Sequence, residues 1–440
     1  MEIDNTPVFT LTLLMLGLSV VGCKKNDRED LPAASTDWNR DIVMTNLIVD
    51  LDTMRASADI VLTGSLISTG ASFEIGDLAV ENVTSNAMQL QFTTEQGRLD
   101  VGVPQSHEAQ TLTIEYSFGI QDDFSGLLQS GATFTWPYFC GNLFPCRSGP
   151  AEGSSFSLMI EGVPEGEVGL YPDSITVDAP AYMLGWTVGK YHYLALSETS
   201  NGTEVGVYYR EGEEQDAISG TQYLRDVFDW YEQRFGEYGF GQKVASVSVD
   251  WGDAAFGGME HHPYWHVASG SLSDPIVHAH EAAHGWFGNG VRIGCWEDFV
   301  LSEGMASYLA ARSLEEVAGE EIGNLVWNSY DSQLVSLENS NQNKIAWPRG
   351  CNQIDILEDG LFGIAPYMKG ALFFKQLEFV LGTKLFDSLL RNFYHTNRGR
   401  AVTLQTLLTF IEEGSDYAPA QCAQAWLRSE VLPQDEVCVY

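Results

Sequence analysis

The chain reads as an α+β protein in which an N-terminal antiparallel β domain precedes a mostly helical domain. Two changes of pattern carry that reading. From about residue 37 to 196, short runs such as Met88-Gln89-Leu90-Gln91-Phe92 and Leu112-Thr113-Ile114-Glu115-Tyr116 alternate in hydropathy between Gly, Ser and Asn clusters, the pattern of half-buried strands. Beyond the polar stretch 197–203 the period lengthens. Leu224, Val227, Phe228, Tyr231 and Phe235 follow helical spacing, with Gly236 placed to end the helix. Val247, Val249 and Trp251 alternate as in a strand and lead into Phe256-Gly257-Gly258-Met259-Glu260. Residues 367–381 and 404–411 are again helical in pattern, with Gly382 and Thr383 separating two helices. The expected units are therefore 37–198 and 199–440.

Composition narrows the function classes. Hydrophobic residues make up 44% of the 440 and charged residues 19%, as expected of a folded chain long enough for two domains and a cleft. Sixty Asp and Glu against 23 Lys and Arg leave a net charge of −37, which repels nucleic-acid phosphates and anionic lipid surfaces. No nucleic-acid partner is expected.

Residues 9–22 form an apolar run too short to span a bilayer comfortably, ending in Val20-Val21-Gly22-Cys23. That ending resembles a bacterial lipobox, in which the cysteine is lipidated and begins the mature chain. The leader Met1-Glu2-Ile3-Asp4-Asn5 is acidic where such signals normally carry Lys or Arg. The expectation is an export signal over 1–23, a flexible tether over 24–36, and contact with a membrane through the lipid anchor only. Cys23 aside, six cysteines remain, consistent with three disulfides in an oxidising compartment. Sequence does not fix their pairing; proximity favours Cys140 with Cys146, Cys422 with Cys438 would staple the C-terminus, and Cys295 with Cys351 would remain.

The chemistry is concentrated in His280-Glu281-Ala282-Ala283-His284. Spaced i, i+4 on a helix, the two imidazoles project from one face and suit two corners of a tetrahedral zinc site, with Glu281 beside the first. Alone the pattern is weak, since three fixed residues recur by chance in about one per cent of chains this long. Glu303, in a second helix-compatible stretch, supplies a third ligand of the right type and leaves a fourth position open, as a catalytic zinc requires.

The stretch from His280 through Gly285, Trp286, Phe287, Gly288, Asn289 and Val291, followed by Trp296, Asp298, Leu301, Glu303 and Gly304, resembles the zinc signature of the aminopeptidase N family of gluzincins. Gly257-Gly258-Met259-Glu260 resembles that family's Gly-x-Met-Glu-Asn motif, and Pro366-Tyr367-Met368-Lys369-Gly370-Ala371 its Tyr-x-Lys-Gly motif. The likeness runs over roughly residues 37–440 and implies a thermolysin-like catalytic domain with one zinc ion on His280, His284 and Glu303. It also implies Glu281 as general base, Tyr367 as donor to the oxyanion, Glu260 as the acceptor of a substrate's α-ammonium, and Gly257 and Gly258 as an unobstructed approach for the peptide backbone. Asp298 becomes a candidate to orient a zinc-binding histidine. His278 points away from the ligand face, towards an orienting role or solvent. His261, His262 and His266 lack the carboxylates a second metal would need. His261 stands where the family usually has Asn, and Val300 and Ser302 replace a usual Trp and Asn, which puts substrate preference in doubt more than metal chemistry. The implied activity is release of N-terminal residues from peptides with a free N-terminus. An endopeptidase or other hydrolase on the same scaffold, or a non-catalytic metal-containing surface binding protein, are the alternatives.

Overall fold

A computed structural model describes residues 31–136, 138–252, 257–351, 353–433 and 438. The expected signal 1–23 with its Cys23, and residues 24–30 of the expected tether, lie outside the described residues.

The N-terminal unit is built on a seven-stranded sheet in the order Ser174–Ala179, Ser154–Glu161, Ile42–Asp50, Arg55–Leu62, Gln110–Ser117, Ala79–Ser85, Met88–Gln89. Alternation sets its faces: Ala56, Ala58, Ile60 and Leu62 point into the core, as do Leu112, Ile114 and Tyr116 of the neighbouring strand. The sheet is antiparallel apart from one pairing. Ile42–Asp50 runs parallel to Ser154–Glu161, with Met44 opposite Ser155, a neighbour the chain reaches only after the long excursion that a parallel connection needs.

The period change near residue 200 marks a hairpin and not the break between units. His192–Glu198 pairs antiparallel with Glu204–Tyr209, and the Thr199 N–H bonds the Thr203 carbonyl at 2.9 Å to close the turn. The first strand of the second sheet thus begins ahead of the expected 198/199 boundary. That sheet continues through Lys243–Val249, Tyr264–Ala268 and Gly258–Met259. Helices Leu224–Phe235, Pro275–Ala283, Phe299–Ala318, Glu320–Glu338, Gly370–Leu381, Thr383–Asn397 and Leu404–Ser415 make up most of the remainder. Gly382, at φ +79°, separates two of these helices in a conformation a side chain would resist. Phe299–Ala318 is buried along nearly its whole length, and so runs through the centre of the helical unit.

All three disulfides are present, Cys140–Cys146, Cys295–Cys351 and Cys422–Cys438. Among the described residues no helix is long and apolar enough to cross a membrane.

Arg292 ties the two units together. Its buried guanidinium donates through Nη1 to the carbonyls of Asp178 (2.6 Å) and Gly399 (2.9 Å), and it lies against Gly153, where a side chain would collide with it. Removing the cation leaves those carbonyls short of donors. Arg292→Ala is expected to lose about 3 kcal/mol of stability in urea unfolding; a loss below about 0.5 kcal/mol, the range of an ordinary surface substitution, would contradict the clamp.

Candidate active site

Two helices deliver the three candidate ligands. Asp274 begins the first, its carboxylate accepting the Ile276 N–H at 2.9 Å, and Pro275 takes the first helical position, where its missing N–H goes unneeded. His280 and His284 follow one turn apart on the same face. From Phe299–Ala318 comes Glu303. His280 Nε2 lies 3.0 Å from Glu303 Oε2 and 3.2 Å from His284 Nε2, and His284 Nε2 lies 3.5 Å from the same carboxylate oxygen. Donors held tetrahedrally about 2.0–2.1 Å from a zinc ion are separated by roughly 3.3–3.4 Å. The donor set and its spacing therefore fit zinc.

The opposite edges of both rings are held as well. His284 Nδ1 donates to the Phe287 carbonyl at 3.1 Å with Ser302 Oγ at 3.5 Å, and His280 Nδ1 meets Ser307 Oγ at 3.3 Å. With the proton on Nδ1, each Nε2 lone pair is turned towards the shared point.

Charge points to the same place. Glu260, Glu281 and His284 bring their polar atoms within 4.8 Å of one another, so three buried carboxylates crowd around two imidazoles. Among the described residues, no Lys or Arg lines this cavity. Burial pushes the Glu281 carboxyl well above its usual range, with Glu260 and Glu303 adding to the push, and burial likewise raises Glu260. Burial works against a cationic His284, yet Glu303, Glu260 and Glu281 hold that ring up to about 10. A dication at the three ligands would let these crowded acids ionise together.

The neighbouring motifs place the remaining groups. A Cβ on Gly258 would come within 2.5 Å of Glu281 Oε1, so this glycine makes room for Glu281 as well as leaving the cavity wall bare. Gly257 is the looser of the two, its hypothetical Cβ lying 3.3 Å from Val277. Tyr367 sits in a π-helical turn, Ala365–Lys369, with its ring stacked over His280 at 5.9 Å between centroids. Burial, with Glu303, Glu260 and Glu281 nearby, keeps its phenol well above its ordinary value and therefore protonated. The cavity these residues enclose is about 430 Å³.

Several positioning residues were not singled out from sequence. Asn289 Nδ2 donates to the Glu260 backbone carbonyl at 2.8 Å. His262 Nε2 donates to the Glu281 carbonyl at 2.9 Å, and its Nδ1 accepts from Tyr238 at 2.7 Å. Lys369 Nζ donates to the carbonyls of Lys344 (2.6 Å) and Ser429 (2.7 Å), while a Cβ on Gly370 would lie 2.5 Å from Gly304 Cα. The helix bearing Glu303 and the turn bearing Tyr367 thus touch backbone to backbone. The only sequence signal for Lys369 and Gly370 is their place in the Tyr-x-Lys-Gly match.

Two expectations are corrected. Asp298 touches neither histidine; its Oδ1 accepts the Leu404 N–H at 2.9 Å and holds the start of helix Leu404–Ser415. The orienting role it was expected to fill falls to the Phe287 carbonyl, Ser302 and Ser307. His278 is buried, bonded to Ser246 Oγ at 2.7 Å and the Leu272 carbonyl at 2.8 Å, so it neither faces solvent nor reaches a ligand. His261 and His266 pack ring to ring at 4.7 Å, and no three-residue metal cluster among the described residues includes either of them or His262.

Comparison with known proteins agrees with this geometry. Residues 225–426 match the Peptidase family M1 domain. Leucine aminopeptidase 2 of Candida glabrata is 26% identical over 321 residues, covering 66% of this chain and 47% of the relative. Aminopeptidase N of Lactococcus lactis is 23% identical, covering 88% of this chain and 51% of the relative. The chain spans about half the length of these curated relatives. In fold it resembles the M1 zinc metallopeptidase from Deinococcus radiodurans, with a TM-score of 0.75 and 18% identity over 92% of this chain and 96% of that one.

Two substitutions probe the site. Gly370→Ala forces the Tyr367 turn away from Gly304 and is expected to lower turnover about ten- to a hundredfold with zinc content unchanged; wild-type turnover would contradict the packing argument. Asp298→Asn should shift zinc affinity by less than about threefold, where loss of a ligand-orienting carboxylate costs about 10- to 100-fold. Burial pushes Asp298 up to about 6, so between about pH 4 and 6 the unfolded chain ionises first and stability falls as pH rises. Urea melts should show that fall in the wild type relative to Asp298→Asn; parallel pH profiles would contradict it.

Proposed function

We propose that this chain, whose residues 225–426 match the Peptidase family M1 domain, is a zinc-dependent aminopeptidase of that family that releases N-terminal residues from peptides. One observation carries the exopeptidase reading: Glu260, buried at the cavity wall, holds its carboxylate within 4.8 Å of Glu281 and His284. Hydrolysis itself has no need of a second free carboxylate there. A substrate's α-ammonium does, and an internal peptide bond offers none. The Deinococcus radiodurans relative, as a mutant, has been solved bound to a Tyr-ser-ala substrate, a short peptide that such a closed end would accept.

Each step rests on a residue already placed. His280, His284 and Glu303 would hold the zinc ion. When bound, zinc supplies Lewis acidity, polarising the scissile carbonyl and making a water at the site easier to deprotonate. Glu281 takes the proton from that water and returns it to the departing amine. The Tyr367 hydroxyl donates to the carbonyl oxygen as it gains charge, a contact worth roughly 3–4 kcal/mol of barrier in comparable sites. Glu260 receives the ammonium and so sets which bond lies in register with Glu281. Asn289 and His262 keep the backbones of Glu260 and Glu281 from drifting apart.

We further propose that the protein is exported, with Cys23 as a lipid attachment point that holds it at the cell envelope. Three disulfides support an oxidising compartment, and the lipobox-like run supports the anchor.

Zinc-loaded protein is expected to cut free-amine anilides and short peptides and to leave their N-acetylated forms intact. Glu281→Gln should retain zinc and lose at least about two orders of magnitude in rate. Equal cleavage of acetylated peptides would favour the endopeptidase reading, and wild-type turnover in the variant would remove Glu281 from its role.

A further inference from the structure

We propose that the cavity selects peptides whose first residue is bulky and apolar, with aromatic side chains best; this inference rests on the aminopeptidase reading above. Once Glu260 has the ammonium, the first side chain must turn towards the wall of the same cavity, and that wall carries a continuous aromatic rank drawn from both units. Trp136 of the β unit meets Phe362 of the helical unit at 4.9 Å between ring centroids. Phe362 packs edge-on against Phe299 at 5.2 Å, and Phe299 against Tyr367 at 6.0 Å. Phe134 backs Trp136 edge-on at 5.8 Å. The apolar surface therefore runs from the domain junction to the phenol that faces the reacting carbonyl, within a cavity of about 430 Å³.

Charge removes the other side-chain classes. An Asp or Glu in first position would bring another carboxylate into a cavity already holding Glu260, Glu281 and Glu303, with no Lys or Arg on its wall among the described residues. A Lys or Arg would need an acid to meet it. The three glutamates are committed to the ammonium, the water and the metal, and Asp274, the remaining acid on the wall among the described residues, accepts the Ile276 N–H as a helix cap. Uncharged bulk is what remains. Tucking an aromatic ring against this wall in place of an alanine methyl favours the larger residue by about 30-fold.

The test is a panel of free-amine aminoacyl anilides (Phe, Leu, Ala, Asp, Lys) with the zinc-loaded full chain. The expected kcat/KM order puts Phe and Leu above Ala by about 30-fold, and Asp last. Trp136→Ala and Phe362→Ala, checked for zinc content and far-UV circular dichroism, should each lower the Phe-to-Ala ratio about tenfold; Phe362→Leu, which keeps apolar bulk but removes the ring, should lower it about threefold and serves if the alanine variant fails to fold. Preference for Ala, Asp or Lys, or an unchanged ratio in the variants, overturns the proposal and leaves the aminopeptidase reading standing. Cleavage of none of the five overturns that reading itself.

Discussion

Three carboxylates buried around two imidazoles, in a cavity whose described wall carries no lysine or arginine, form the constraint to which the rest of this structure answers. Isolated buried charge is costly enough that such groups normally pair or neutralise. Here the convergence of His280, His284 and Glu303 gives a dication one point at which to compensate that charge. Glu281 and Glu260 remain beside that point without being needed to hold it, which leaves them free for the proton and ammonium roles proposed for them. A purely structural zinc site would close with a fourth protein ligand and would have no use for either.

Holding charge at that density requires backbones to come close, and the chain meets that demand with small residues at particular contacts. Gly258 vacates the volume that Glu281 occupies, and Gly304 meets Gly370 where the glutamate-bearing helix crosses the tyrosine-bearing turn. Lys369 then fastens the turn to the loop at Lys344 and to the C-terminal segment at Ser429. The position of Tyr367 over His280 is thus set by elements far from it in sequence. On the other side, Arg292 fixes the β unit against the helical unit. That docking lets Phe134 and Trp136 line a cavity whose chemistry belongs to the other domain.

How much of this could be read in advance follows from where the information resides. His280 and His284 were legible because the helical period alone aligns them, and Glu303 because a carboxylate of the right type follows in the next helix. The two sheet-and-helix halves were legible from alternation against a 3.6-residue period. What failed was direction and partnership. Asp298 is close to Glu303 in sequence, but the chain turns there so that its carboxylate caps Leu404–Ser415. The polar stretch after Glu198 has the composition of a linker and also of a hairpin turn, and only the pairing with Glu204–Tyr209 tells them apart. Trp136 and Phe362 carry no local signal, since their contact exists only once the two units have docked.

The central claim is most directly tested by zinc K-edge X-ray absorption on the loaded protein. Two imidazole nitrogens and carboxylate oxygen should make up the protein ligands, at roughly 2.0–2.1 Å, with the remaining scatterer a light atom from solvent. Imidazole scattering that persists unchanged when His280 and His284 are both replaced by alanine, or a shell containing sulfur, would contradict it.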